Sequence, residues 1–337
     1  MTAGLTGRWR QEAGWRVAGS RPLDRSKVQA PGVVRLPSGG FRLFYTAIGP
    51  GKPYPTCQGY ILSAVSADGL VFRKERGIRL APHPDVPHMS RRVLAPSVTR
   101  LPDGRWRMFF EARGTAHRPT VICSAVSADL LHWTVEDGIR LQAPDDIGGP
   151  RFLPLAGGRG RLFCFSRGAQ SVISAVTTDG LTFSVEPGYR IRGRQSEIES
   201  AGITAAEVMP PARAGARWIM LYSAWQDVPP GTVVPPHPSS DPDADAKGLS
   251  ADFAAASIAA DIAGYRSRIF VATSADGLAW ERAGLAVEGR GYADDGVDAV
   301  HAEDMSVVAL DDGRFRMYYA ACDRFGNWRI ASAVTEG

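Results

Sequence analysis

Lysine, cysteine and long apolar runs are scarce in this chain, and each scarcity narrows its class. Four cysteines occur in 337 residues, and no two stand in C-x-x-C spacing. Neither a zinc ribbon nor a redox dithiol is indicated, and Cys123, Cys164 and Cys322 read as buried free thiols in or beside strands. No stretch approaches the roughly 20 apolar residues of a membrane span, and Met1–Leu5 leads into no apolar signal segment. The expected setting is cytoplasmic, with no membrane contact. A net charge of +4 without basic blocks argues against a nucleic-acid partner. Only four of the 39 basic residues are lysine, and the excess of arginine reads as a compositional bias. Apolar residues make up 44% of the chain, enough for a full core.

What is present is a repeat. Ser63-Ala64-Val65-Ser66-Ala67-Asp68-Gly69-Leu70-Val71-Phe72 returns from Ser124 to Trp133, from Ser174 to Phe183 and from Val271 to Trp280, and is cut short at Ser332–Thr335. Each copy is a strand, a tight Asp turn and a second strand opened by an aromatic, which is a hairpin. A second hairpin precedes each: Pro31–Tyr45, Pro96–Phe110, Pro150–Cys164, Val208–Tyr222 and Met305–Tyr319 share one outline. Four short strands per unit describe one blade of a β-propeller, and five units predict five blades.

The ends support closure. The last unit stops after its third strand, while Trp9–Val17 at the N-terminus aligns with the fourth strands Phe72–Leu80, Trp133–Leu141 and Phe183–Ile191. A first strand completing the last blade leaves no open sheet edge; a β-sandwich with repeated turns does not explain it. The expected domain is a single all-β propeller over 1–337. In blade four an insertion at 226–264 holds a Pro-rich run and then Leu249–Gly264, which reads as a helix forming a wall or lid over the channel mouth.

The S-x-D-G-L-x-W hairpin and the P-x-V-x-x-L-P-D-G-x-W-x-M-F-F unit resemble the five-bladed glycosidases of families 43 and 32 along the whole chain. The resemblance implies acid/base chemistry on a sugar. In family 43 the general base just precedes the proline of blade one's first strand, the second acid follows that of blade two, and the general acid lies two residues before that of blade three. Those positions hold Ala30, Ser97 and Gly148 here, and none carries a titratable group. The two-carboxylate mechanism is missing where the family keeps it.

Acids stand elsewhere. Counting back from the position of Phe41, Trp106, Gly160, Trp218 and Phe315, one repeat position holds Ala30, Ala95, Gly149, Glu207 and Asp304. Blades four and five therefore place acids on the channel where the others have small residues. Glu207, Asp304 and Glu303 are the candidate relocated acid and base, with His301 assisting. His301, Glu303 and Asp304 are metal-capable types, but with no third well-placed ligand neither a metal nor a cofactor is expected. Arg151 points near this space. Glu111 breaks its own repeat, where other blades have Thr46, Phe165, Ser223 and Ala320; it is a substrate contact or an ion-pair partner of Arg113 or Arg151. Arg113 and Arg167 occupy equivalent positions and with Arg151 form a fork for an anion. Ser97 and Trp225 complete the candidate substrate contacts. The expected partner is a small sugar-like or anionic substrate, the reaction a hydrolysis, elimination, isomerisation or cyclisation. The alternative is a propeller without catalysis that binds a glycan or a protein.

Overall fold

A computed structural model describes residues 5–25, 27–48, 58–115, 118–195, 199–200, 202–227, 265–289, 295–324 and 327–336. The chain is all-β, and the described residues hold no α-helix; a 3-10 turn stands at Ala156–Gly158. Two short strands, β1 (Trp9–Gln11) and β2 (Val17–Ala18), come first. Five antiparallel meanders follow. The first is β3 (Lys27–Arg35), β4 (Phe41–Ile48), β5 (Gly59–Ser66) and β6 (Arg73–Lys74); the second is β7 (Arg92–Arg100), β8 (Trp106–Arg113), β9 (Val121–Ser127) and β10 (Thr134–Val135). The third is β11 (Ile147–Pro154), β12 (Gly160–Ser166), β13 (Ser171–Thr177) and β14 (Ser184–Val185). The fourth is β15 (Gly202–Met209), β16 (Trp218–Asp227), β17 (Tyr265–Ser274) and β18 (Glu281–Val287). The fifth has three strands of its own, β19 (His301–Ala309), β20 (Phe315–Cys322) and β21 (Trp328–Thr335). Its fourth is supplied by β1 and β2, which pair antiparallel with β21 through Trp9↔Thr335 and Val17↔Ile330.

The core explains the ring. Strand β4 is buried at all eight positions, with none of the alternation of a half-exposed strand, because each sheet is covered on both faces by its neighbours. Five apolar clusters each straddle two successive meanders: Phe44 with Phe110, Phe109 with Leu162, Phe163 with Tyr222, Leu221 with Tyr319, and Tyr318 with Leu43. The last joins the fifth meander to the first, so the innermost strands β3, β7, β11, β15 and β19 form a closed cycle. This is the β-propeller architecture.

Polar ties repeat with the same period. Arg42 grips Glu75 through Nε and Nη2, both at 2.9 Å, while Ser63 donates to Glu75 and Arg42 Nη1 reaches the Asp129 carbonyl of the next meander. Arg107 with Glu136 and Ser124 repeats the device, as does Arg161 with Glu186 and Ser174. In the fifth meander Arg316 and Ser332 hold Glu12 from the N-terminal segment, which fills the role of a fourth-strand acid. A second set, Arg16, Arg79 and Arg140, donates to the carbonyls of Leu70, Leu131 and Leu181 one meander on. Seven of the arginines thus have an architectural place. The Asp turns follow the hairpin expectation: Asp68 Oδ1 accepts from the amides of Leu70 and Val71, and Gly69 takes a φ of 75°. Those amides hold the Asp68 carboxyl at about 2, below its ordinary range.

Cys123, Cys164 and Cys322 are buried, the first two as free thiols. Gln226 and Asp227 continue β16; the rest of the expected insertion, its helix included, lies outside the described residues. Among the described residues no helix is long and apolar enough to cross a membrane.

Candidate functional site

Each innermost strand is broken by a bulge. Pairing skips between Gln29 and Gly32, Leu94 and Ser97, Gly148 and Arg151, and Glu303 and Ser306, but only between Ile203 and Ala205 in β15. The bulged residues Ala30, Ala95, Gly149 and Asp304 all take left-handed φ, from 46° to 56°. This conformation is unfavourable for a side-chain-bearing residue, least so for Asp, and it aims each residue at the axis. A hole of about 20 Å³ lies there, lined by Ala30, Ala95, Gly149, Thr204, Asp304 and, from around them, Gln29, Leu94, Glu111, Phe165 and Arg167.

The fourth sector of this hole is therefore Thr204, not Glu207. Arg35 pairs with Phe41 across the first turn of its meander, whereas Met209 pairs with Ile219 in the fourth. The longer turn makes a count back from Trp218 stop two residues short, and the bulge of β15, set one residue further back, accounts for the third. Glu207 instead pairs with Leu221 and shares its level with Gly32, Ser97, Arg151 and Ser306. These line a different cavity of about 160 Å³ further along the channel.

Arg151 divides the two. Its guanidinium donates to the carbonyls of Pro31, Pro96, Pro150 and Met305, from the first, second, third and fifth meanders. Its Nε lies 2.8 Å from Glu207 Oε2 of the fourth. One side chain thus touches all five sectors and plugs the channel like an axle, while also lining the cavity of about 160 Å³. Burial pushes the Glu207 carboxyl up to about 7, against the Arg151 charge that holds it down. Ser97 is likewise architectural, its hydroxyl accepting from the Phe152 amide of the next strand at 3.0 Å.

The hole on the other side of Arg151 brings Asp304 and Glu111 together. Burial raises the Asp304 carboxyl well above the usual carboxylate range, and the neighbouring Glu303 charge raises it further. Glu111 Oε1 accepts from Arg167 at 2.9 Å and its Oε2 accepts from the Gly149 amide at 3.2 Å. Its ion-pair partner is Arg167, not Arg113 or Arg151. The departure of Glu111 from its repeat has a clear meaning here. Thr46 accepts from the Ala95 amide and Ser223 from the Asp304 amide, so in the first and fourth meanders this position staples one meander to the next. Glu111 keeps the staple and adds a carboxylate. It has room because position 148 is glycine: a Cβ there would collide with Glu111 Oε2.

The remaining candidates sit further out or elsewhere. Glu303 is buried and accepts from Trp225 Nε1 at 2.8 Å, so Trp225 supports an acid one residue from Asp304. His301 does not face the hole; its ring stacks on Trp328 at 5.2 Å and its Nδ1 lies 3.0 Å from Ser267 Oγ. Lys27 covers the same indole from 3.8 Å. Arg113 is buried 4.0 Å from Asp146. The anion fork is not assembled, since Arg151, Arg167 and Arg113 each face a different carboxylate. Among the described residues no three His, Cys, Asp or Glu side chains group as a metal requires.

No family model and no curated protein matches the sequence. Solved structures do. A glycosyl hydrolase from Bacteroides ovatus is similar over 97% of this chain and 93% of its own, with a TM-score of 0.68 and 14% identity. A structure of the GH130 family of mannoside phosphorylases, described as containing glycoside hydrolases that target β-1,2 mannosidic linkages in Candida mannan, gives 0.66 and 13% over 97% and 93%. The catalytic domain of a Coprinopsis cinerea GH62 α-L-arabinofuranosidase gives 0.62 and 11% over 98% and 97%. At these identities the likeness is one of fold: the chain shares the propeller of glycoside hydrolases.

Proposed function

We propose that the five meanders are the five blades of one propeller domain, and that this domain is a sugar-acting enzyme of glycosidase type. Asp304 serves as general acid and Glu111 as the second carboxylate. The observation that carries this is the exchange at Gly148. The family resemblance puts an acid there; this chain has a glycine, and the Glu111 carboxylate from the neighbouring strand occupies the space the missing side chain leaves. Asp304, whose carboxyl burial and then Glu303 raise to about 7, keeps a proton below that pH to give to a leaving oxygen. Glu111, anchored by Arg167 and the Gly149 amide, faces it across a hole of about 20 Å³, which is water-sized. A neutral acid and an anchored carboxylate around one water suit glycoside hydrolysis, or an elimination using the same proton transfers.

The experiment is turnover of a panel of 4-nitrophenyl glycosides by the wild type, Asp304→Asn and Glu111→Gln. Each variant is expected to lose about 10²–10⁴-fold in kcat with little change in ligand affinity. Turnover undiminished in both variants contradicts the assignment. The second reading, a propeller that binds glycans without catalysis, is favoured by the neutral residues at Ala30, Ser97 and Gly148. It predicts saturable glycan binding by the wild type with no turnover of any member of the panel.

A further inference from the structure

Four meanders open their second strand with an aromatic ring, Phe41, Trp106, Trp218 or Phe315, and the third opens with Gly160. In the first and fourth that ring packs on the glycine of the meander's own Asp turn. A Cβ on Gly69 would lie 3.2 Å from Phe41, and one on Gly277 would lie 3.1 Å from Trp218. At the corresponding Gly180 such a Cβ would meet only the Arg107 guanidinium. The ring slot of the third meander is vacant.

A compensating exchange takes up the space beside Gly160 but leaves that over Gly180 open. Four innermost strands carry Val33, Val98, Val208 and Val307 at one register position, paired with Leu43, Met108, Met220 and Met317; β11 has Phe152 there, paired with Leu162. The Phe152 ring stacks on Phe109 at 4.6 Å and lies where a Cβ on Gly160 would collide with it. Beside it a cavity of about 660 Å³ opens between the second and third meanders, lined by Phe109, Phe152, Leu101 and Pro154 and by Thr177 and Gly180. This is in the usual size range of small-molecule sites. It shares no lining residue with the Asp304 hole.

Its charge is one-sided. Arg107 also lines it but is held by Glu136 and the Gly180 carbonyl, and Asp179 Oδ1 is taken by the amides of Leu181 and Thr182. Arg100, at the exposed end of β7 with its guanidinium 5.9 Å from the Trp106 ring, and Arg159, on an exposed turn where its Nε donates to the Ala156 carbonyl at 3.4 Å, remain without an acid partner among the described residues, and Asp179 is the one acid in the lining. We propose that this cavity is a second binding site, for an aryl carboxylate: a flat ring enters the vacated slot and its carboxylate meets Arg100 and Arg159. Ring insertion follows the precedent of the chain's own Phe41 and Trp218, and guanidinium groups are suited to a planar carboxylate.

Indole-3-acetate and indole are the probes, titrated against the whole protein by calorimetry or ligand-observed NMR. Indole-3-acetate should saturate and bind about tenfold tighter than indole, since charge-assisted bonds add to ring burial. Arg100→Ala with Arg159→Ala removes that advantage and leaves indole binding in place. Phe152→Val with Gly160→Trp restores the arrangement of the other meanders, fills the slot and abolishes binding of both probes. The proposal fails if the wild type shows no saturation with indole-3-acetate by about 5 mM, or if the double-arginine variant binds it as tightly as the wild type. The exposed arginine variants keep this test valid even where the core exchange does not fold.

Discussion

Replacing Arg151 by alanine removes the one side chain that touches all five sectors of the channel. At 2.8 Å from Glu207 the attraction is about 6 kcal/mol at an effective dielectric of 20. Desolvation of both charges offsets much of this. The loss on truncation is therefore better taken from buried pairs broken on one side, about 3–5 kcal/mol, because the remaining charge is stranded. The carbonyls of Pro31, Pro96, Pro150 and Met305 also lose their donor, but water from the adjoining cavity can replace it. We expect Arg151→Ala to cost about 4 kcal/mol at pH 8, where Glu207 is ionised. Urea unfolding measures it as a shift in midpoint at unchanged m. Arg151→Met with Glu207→Leu should recover most of the loss, since no charge is then left unpaired. Arg151→Lys should not, because one ammonium cannot span five strands. A loss under about 1 kcal/mol, or a double variant no better than the single one, refutes the axle.

Other outcomes follow from the same contacts. Glu12→Ala leaves Arg316 without its bidentate partner at the seam of the ring and should cost about 2–3 kcal/mol in urea unfolding, given the strength of hydrogen bonds to charged groups. Asp304→Asn removes a carboxyl that is forced to ionise in a buried site beside Glu303 at high pH, and should raise the melting temperature at about pH 9 while turnover falls. Glu303→Gln removes a like charge from Asp304, lowers its pKa, and should move the alkaline limb of the rate profile to lower pH. Glu207 has a folded pKa of about 7, above its unfolded value, so it is preferentially protonated in the native state. Its contribution to stability is full below the ordinary carboxylate range and is lost as pH rises toward 7, and Glu207→Gln should flatten that slope.

The fold was legible because its unit is written five times. An Asp turn with a left-handed residue after Asp needs the same few residues at each copy, and the orphan segment at Trp9–Val17 could only complete an incomplete unit. The site was legible in part. Asp304 is a bulge residue, in register with Ala30, Ala95 and Gly149, so the repeat found it. Glu207 was misplaced because register is set by pairing and not by a count; the longer turn before Trp218 hid a shift of two residues that puts it level with Arg151. Glu111 was noticed as an exception to its repeat, yet its meaning depended on the void at Gly148, a contact between neighbouring meanders that no single-blade pattern contains. The acids Asp24, Glu199 and Asp298 were missed altogether. Each lies in a connection and accepts from a buried tyrosine hydroxyl, Tyr45, Tyr222 or Tyr319; the tyrosine in place of Phe110 or Cys164 was the signal.

The central claim is that Asp304 and Glu111 together form the reacting centre. A crystal soaked with a cationic iminosugar tests it most directly, since the ring nitrogen mimics the charge that develops at a glycosidic carbon. The account predicts the nitrogen at the mouth of the hole, within hydrogen-bond reach of both carboxyl groups. An iminosugar bound elsewhere on the propeller, with Glu111 still closed on Arg167 and Asp304 untouched, would contradict it.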